Sequence, residues 1–164
     1  ATSSAGTIEN GPQRLSDIFD PKEVSTRLST DKWRLFVDSL VMCMFTTLTM
    51  PMTPGSIERL TEILNATTGW DFTTEEADQQ AHRISNLLRV FNLRHGIKTD
   101  VEYPSPRYGS TPTDGPAKGK GIMPHWDYML DNYYQLMGWD RASGRPLPKT
   151  LKSLGLEELI ADIW

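Results

Sequence analysis

The six residues from Leu40 to Phe45 (LVMCMF) constrain the fold of this chain more than any other segment. They continue an amphipathic pattern that predicts a helix over about 29–47. The apolar residues on one face of this helix are Trp33, Phe36, Val37, Leu40, Val41 and Met44. At about 100° per residue, six consecutive apolar or cysteine residues cover the whole circumference, and a helix that is apolar all round is buried all round. The sequence therefore predicts either a central helix or one whose far side packs on a surface outside this chain.

The rest of the chain has helical periodicity as well. Further helices are predicted at about 56–65, 73–95 and 124–137, followed by two short helices around Leu151 and Leu159. Thr73 and Glu76 have the spacing of a capping box, in which each side chain satisfies the backbone amide of the other residue. Because paired strands and internal repeats are not recognisable, the predicted fold class is all-α, a multi-helical, bundle-like domain.

Apolar stripes on the two longer helices predict which faces build the core. The stripe of the 73–95 helix consists of Ala81, Ile84, Leu87, Leu88 and Phe91. The stripe of the 124–137 helix consists of Trp126, Met129, Leu130, Tyr133, Tyr134 and Met137. Gly96 and Gly138 are placed to end these two helices, because glycine readily adopts the left-handed conformation of a helix C-terminus.

The domain organisation predicted from the sequence is a flexible tail at 1–12 followed by one helical domain at 13–164. The tail is small and polar, and the chain does not begin with methionine. We therefore expect a domain of a larger protein. Residues 97–123 form a glycine- and proline-rich stretch with little periodicity, and a loop of this length is usually functional or wraps another surface.

Composition excludes several classes of function. The net charge of −4 provides no basic field that would attract nucleic acid or an anionic membrane. No apolar run reaches the roughly 18 residues of a transmembrane helix. The single cysteine, Cys43, rules out an internal disulfide and an all-cysteine zinc site, and a lone thiol fits a reducing, cytoplasmic environment.

Few residues indicate chemistry by spacing alone. His82, His95 and His125 lack metal-ligand spacing, and surface or capping roles are the simpler reading. Cys43 on its own is best explained as a small hydrophobe in a packed core. Asp38, five residues earlier, requires partners if it is buried. From the residues alone, the pairing of Asp38 with Cys43 is more often accidental than functional.

Five segments nevertheless resemble, in order, stretches of the aldehyde ferredoxin oxidoreductase family, tungsten enzymes of largely anaerobic prokaryotes. Residues 38–45 resemble its D-x-x-G-L-C-x-F motif, with Val41 at the usual glycine and Met42 at the usual leucine. The later segments 88–96, 114–119 and 129–140 resemble its R-x-F-N-x-R-x-G, D-G-P-A-K-G and M-L-x-x-Y-Y-x-x-R-G-W-D stretches. Residues 148–156 resemble its usual ending.

The resemblance implies the last of two helical domains that follow an N-terminal β domain. In the family, tungsten is held by two tungstopterin dithiolenes beside a [4Fe-4S] cluster, and three cluster cysteines come from a C-x-x-C-x-x-x-C run in the middle domain. The fourth matches Cys43. The aspartate that matches Asp38 contacts a pterin, and residues that match Met42 and Met44 do so through backbone groups.

The function implied for the full-length parent is oxidation of an aldehyde to a carboxylate by a tungsten (or molybdenum) pterin site, with ferredoxin or another electron-transfer protein as acceptor. Two alternatives remain open: an aryl-CoA reductase subunit of the same family, or a non-catalytic helical interaction module. The expected partners are the N-terminal and middle domains of the parent, without nucleic acid or membrane. The isolated chain is expected to bind no cofactor and to be inactive.

Overall fold

A computed structural model of the chain describes residues 20–30, 32–42, 56–115 and 118–164. The helices are α1 Pro21–Thr30, α2 Trp33–Ser39, α3 Ser56–Thr68, α4 Thr74–Arg94, α5 Pro106–Gly109, α6 Trp126–Met137, α7 Pro148–Ser153 and α8 Ile160–Ile163. Short 3-10 turns lie at Thr99–Glu102, Met123–His125 and Glu157–Leu159. Across these ranges no strand forms, and an isolated antiparallel bridge joins Trp139 to Pro146. The all-α prediction is confirmed.

The first predicted helix is wrong in its extent. Within 29–47 the chain forms the end of α1 and all of α2, and α2 ends at Ser39. The hydroxyls of Ser29 and Thr30 donate to carbonyls three residues earlier, which offers the end of α1 an alternative to continuing the helix. Val41, predicted to lie on the apolar face of this helix, lies beyond the last residue of α2 and is 93% exposed within this chain. Residues 43–47 lie outside the described residues.

Helix α4 is the longest described helix and packs against both halves of the fold. Its start is the predicted capping box: Thr73 Oγ1 accepts from the Glu76 amide at 3.1 Å, and Glu76 carboxylate accepts from the Thr73 amide at 2.8 Å. In its N-terminal half, Ala77 and Ala81 are buried under Phe36 of α2 and Leu64 of α3. These contacts form the first part of the core.

The C-terminal half of α4 buries the opposite side of the helix. There, Val90 packs with residues of the C-terminal segment, namely Leu151, Leu154, Leu156 and Ile163. The predicted stripe is therefore wrong at Leu87, Leu88 and Phe91, which are about half exposed, whereas Ile84 is half-buried. Asn86 and Arg89 are buried in their place, and both make hydrogen bonds that offset their loss of water.

Helix α1 packs against helix α6. Asn132 Nδ2 donates to Ser25 Oγ at 2.8 Å and to Thr26 Oγ1 at 3.0 Å, which joins the two helices by polar contacts. Members of the predicted stripe are buried at Met129, Tyr134 and Met137. The helix ends at Gly138, whose φ of 69° gives the left-handed end predicted from the sequence. Within the described chain, none of the helices is both long and apolar enough to cross a membrane.

Candidate functional site

The candidate site begins at the C-terminal end of α2, where the chain makes a tight left-handed turn. The amide of Val41 donates to the Asp38 carbonyl at 3.0 Å, and the amide of Met42 donates to the Val37 carbonyl at 3.4 Å. This pair of bonds is the Schellman pattern of helix termination. Met42 also packs on the apolar cluster of Trp33, Val37 and Leu60, which is the hydrophobic contact that accompanies this pattern.

Val41 occupies the left-handed position of this turn with φ 59°. A β-branched residue is an outlier in this region because its Cβ crowds the backbone. Glycine has no such cost, which gives a physical reason for the glycine at this place in the motif that 38–45 resembles. The same turn leaves the Val41 side chain 93% exposed, so it projects from the surface instead of entering the core.

The turn displays two groups that could hold a ligand. The carboxylate of Asp38 is exposed, and no other side chain in the described part of the chain bonds to it. Met42 is half-buried, its amide is used within the turn, and its carbonyl oxygen is a backbone group that could accept a hydrogen bond. Cys43 and Met44 lie outside the described residues. The turn brings Asp38 and Met42 together at one helix end, immediately before Cys43.

A second cluster of contacting side chains connects the sequence motifs at 88–96 and 129–140. Arg89 of α4 is 9% exposed; its Nε donates to the Gly144 carbonyl at 2.8 Å and an Nη donates to the Tyr134 hydroxyl at 3.1 Å. Its other Nη forms an ion pair with Glu102, which also accepts from Tyr134. The Arg89 guanidinium lies 4.5 Å from the centre of the Trp139 ring. This cluster, the Arg89 clamp, is Arg89, Glu102, Tyr134, Trp139 and Gly144.

The electrostatics of the clamp favour one protonation state. Burial, followed by the hydrogen bond to Glu102, raises the pKa of Tyr134 above its usual range. The phenol therefore stays protonated and donates to the carboxylate. Because every polar group of the clamp has a partner, its buried charges stabilise one arrangement of α4, α6 and the loop around Gly144.

Two comparisons place the chain among known proteins. The family model described as aldehyde ferredoxin oxidoreductase, domains 2 and 3, matches residues 6–156. The chain belongs to the aldehyde ferredoxin oxidoreductase family. It is 36% identical over 153 residues to a tungsten-containing aldehyde ferredoxin oxidoreductase of Pyrococcus abyssi, covering 88% of this chain. It is also 36% identical over 146 residues to the corresponding Pyrococcus horikoshii protein, again covering 88% of this chain. The chain spans about 23% of the length of each of these relatives.

Two of the three histidines bond to backbone carbonyls near helix ends. The His82 ring donates through Nε2 to the Met137 carbonyl at 3.2 Å, at the end of α6, and burial lowers its pKa. The His95 ring bonds to the Phe91 carbonyl at 2.7 Å. His125 lies in the 3-10 turn before α6. Among the residues whose positions are described, no three histidine, cysteine or acidic side chains form a metal-binding group.

The D-G-P-A-K-G segment lies in an exposed loop rather than at the α2 turn. The backbone amide of Gly119 donates to the Pro112 carbonyl at 2.9 Å, and that of Lys118 donates to the Gly115 carbonyl at 3.1 Å. Residues 116–117 are outside the described ranges. The loop is held to α6 by Tyr103, whose hydroxyl donates to Asp127 at 3.3 Å.

Asp140 of the G-W-D segment folds the next turn. Its carboxylate accepts from the Ser143 hydroxyl at 2.6 Å and the Ser143 amide at 2.8 Å, and the hydroxyl bond in particular lowers the pKa of Asp140. The turn carries Gly144 to Arg89, since the Gly144 amide donates to the Asp140 carbonyl at 2.8 Å.

The Arg89 clamp was not predicted from the sequence. The signal that could have found it is Arg89 itself, which is the only charged residue in the apolar stretch 84–93. A lone charge in such a stretch requires either solvent or buried partners. Its partners lie 13, 45 and 55 residues away, so spacing alone does not reveal them.

Proposed function

We propose that this chain is the C-terminal helical part of a tungsten (or molybdenum) pterin oxidoreductase that oxidises an aldehyde to a carboxylate, with ferredoxin as electron acceptor. The family membership supports the reaction class. The observation that carries the site is the exposed turn at Asp38 and Met42, which leads directly into Cys43. The bound pterin, tungsten and cluster would supply the redox chemistry, and this chain would supply contacts that hold them.

The hydrogen-bond acceptors of the turn fit a pterin. A pterin ring carries several N–H donors, and the turn presents two acceptors, the Asp38 carboxylate and the Met42 carbonyl. A carboxylate forms stronger, charge-assisted bonds to such donors than a neutral acceptor does. We therefore assign to Asp38 the orientation of the pterin edge, and to Met42 and Met44 backbone contacts on either side of Cys43.

Cys43 has a separate role in this proposal. Thiolates are the ligands that hold iron–sulfur clusters, and this chain has a single cysteine. It would provide one ligand of a [4Fe-4S] cluster, while the other three would come from the remaining part of the parent protein. The N-terminal and middle domains of that protein are therefore partners of this chain.

Two substitutions in the full-length parent test these assignments separately. Cys43→Ala should lower the iron content and change the cluster spectrum, because alanine removes the sulfur and little else. Asp38→Ala should lower the pterin and tungsten content while most of the iron remains. The measurement is iron and tungsten per chain with electron paramagnetic resonance of the reduced protein.

The matched control is Asp71→Ala, which removes another exposed carboxylate, from the turn between α3 and α4. It should leave both metals at wild-type levels. If Cys43→Ala keeps a full complement of iron, an unchanged spectrum and normal turnover, then Cys43 is a packing residue and the ligand assignment is wrong.

A further inference from the structure

The C-terminal half of α4 presents an apolar face to solvent. Leu88 is 45% exposed and Phe91 is 56% exposed, with Leu87 beside them at 45%. The His95 ring, 4.1 Å from that of Phe91, extends the face to the end of the helix. Single exposed leucines are ordinary, but a contiguous row of large apolar side chains usually marks a contact surface.

This face also lacks charge. Between Ile84 and Leu93 the only charged residue is Arg89, which points inward to Glu102 and the Gly144 carbonyl. The outward side therefore runs for ten residues, or roughly 15 Å, without a charged side chain. A helix that faces water permanently normally carries charged residues on that side, and here the exposed polar residue among the apolar ones is Asn92.

The exposed face continues a contact that the fold already makes. Ala77, Ala81, Ile84, Leu88 and Phe91 follow one another at intervals of three or four residues and so share one side of α4. Helices α2 and α3 cover the first two through Phe36 and Leu64. Leu88 and Phe91 lie further along the same side, beyond the cover of α2 and α3, and Ile84 at the border is half-buried.

We propose that this uncovered part of α4 is the surface on which the remaining portion of the parent protein docks, through an apolar and uncharged face of its own. The inference rests on the proposed function, in which this chain is one part of a larger enzyme. Relatives contain about four times its length, since it spans 23% of them.

A covalently linked portion is favoured over a second copy of the chain. Linkage within one polypeptide gives the contact a high effective concentration, whereas a dimer must form by collision. Interfaces between domains of one chain bury roughly 600–1,500 Å², and a row of side chains on three helical turns is a suitable centre for such a contact.

Hydroxyl-radical footprinting of the full-length parent tests this surface. In this chain Phe91 is 56% exposed and Phe36 is 7% exposed, a ratio of 56 to 7, or about eightfold. If the parent covers α4, Phe91 should be oxidised about as slowly as Phe36. If Phe91 is oxidised about eightfold faster than Phe36, the proposal is overturned.

A pair of matched variants separates the possible occupants. Leu88 and Leu136 are both 45% exposed on helices. In the full-length parent, Leu88→Glu should increase Phe91 oxidation and cleavage by a limiting amount of protease, while Leu136→Glu should change neither. If wild-type Phe91 is protected only in a dimer, and Leu88→Glu converts that dimer to a monomer with Phe91 exposed, the occupant is a second copy and the proposal is wrong.

Metal analysis of the same samples distinguishes this inference from the proposed function. Slow Phe91 oxidation in a parent that binds neither iron nor tungsten would keep the docking surface and remove the redox assignment. If the parent binds both metals but Phe91 is oxidised about eightfold faster than Phe36, the redox assignment would be kept and the docking surface would be rejected.

Discussion

Val41 is the residue at which the local backbone and the side chain conflict. A left-handed conformation costs an L-residue roughly 1–2 kcal/mol, and a β-branched side chain makes the crowding worse. The turn survives because both of its amides are bonded and Met42 packs on the apolar cluster beside it.

Replacing Val41 with glycine is therefore expected to raise the free energy of unfolding by about 1 kcal/mol, after the greater freedom of glycine in the unfolded chain is subtracted. Urea denaturation of this chain measures the change. Val101→Gly is the control, because Val101 is also exposed but has no left-handed backbone. Glycine at position 101 should therefore lower the free energy of unfolding. A loss of stability in Val41→Gly would show that the valine side chain contributes more than its backbone conformation costs.

His82 gives the fold a dependence on pH. Burial lowers the pKa of His82, so its ordinary value near 6.5 applies only to the unfolded chain. Its contribution is fully present above about pH 6.5 and is lost as pH falls toward the folded pKa, since the unfolded state then binds the proton more readily.

We expect His82→Gln, whose amide can still donate to the Met137 carbonyl, to flatten this decrease. Thermal unfolding between pH 7.5 and 5 checks it. An unchanged slope in the variant would assign the acid sensitivity to other groups.

At the scale of elements, the Arg89 clamp decides how α4, α6 and the loop around Gly144 meet. Gly144 is required there for two reasons: its φ is 64°, and a Cβ would lie 2.1 Å from an Arg89 Nη atom. The loop backbone can approach the guanidinium only because this position has no side chain.

Gly144→Ala should therefore cost several kcal/mol, since the buried arginine would have to leave its partners. Gly96→Ala is the matched control, because Gly96 has φ 82° but nothing within 4 Å of its Cβ position. It should cost only the conformational strain, about 1 kcal/mol. Equal losses in guanidinium denaturation would mean that the clamp can move to accept a methyl group.

Helix α4 also shows why periodicity identifies a helix more reliably than its buried side. The capping box and the ending near Gly96 depend on residues close in sequence, and both were predicted correctly. The buried side changes along the helix because α2 and α3 pack on one half, while the C-terminal segment packs on the other, where Arg89 also bonds to Tyr134 of α6.

At the scale of the whole molecule, the single cysteine limits what this chain can do alone. Iron–sulfur clusters of the [4Fe-4S] type are usually held by four thiolates, and this chain provides one. We expect anaerobic reconstitution of the isolated chain to leave no stable cluster, as measured by iron and sulfide per chain. A monomeric sample with a stoichiometric cluster would contradict this and would require a different set of ligands.

What the sequence by itself determined is the set of local features: helical periodicity, the capping box, the glycine that ends α6, and ordered motifs that resemble one family. These depend on contacts within a few residues, which spacing along the chain records. The family resemblance was correct, and the all-α class followed from the periodicity.

Only the tertiary structure decided where α2 ends, which sides of α4 are buried, and how Arg89 is neutralised. The left-handed turn at Val41 depends on Met42 packing against Trp33 and on two closing hydrogen bonds. The hydrogen-bond partners of Arg89 are Glu102, Tyr134 and Gly144, which approach it only when distant segments fold together. Burial is a property of the assembled surfaces, so an apolar stripe specifies a side that favours contact without specifying which surface covers it.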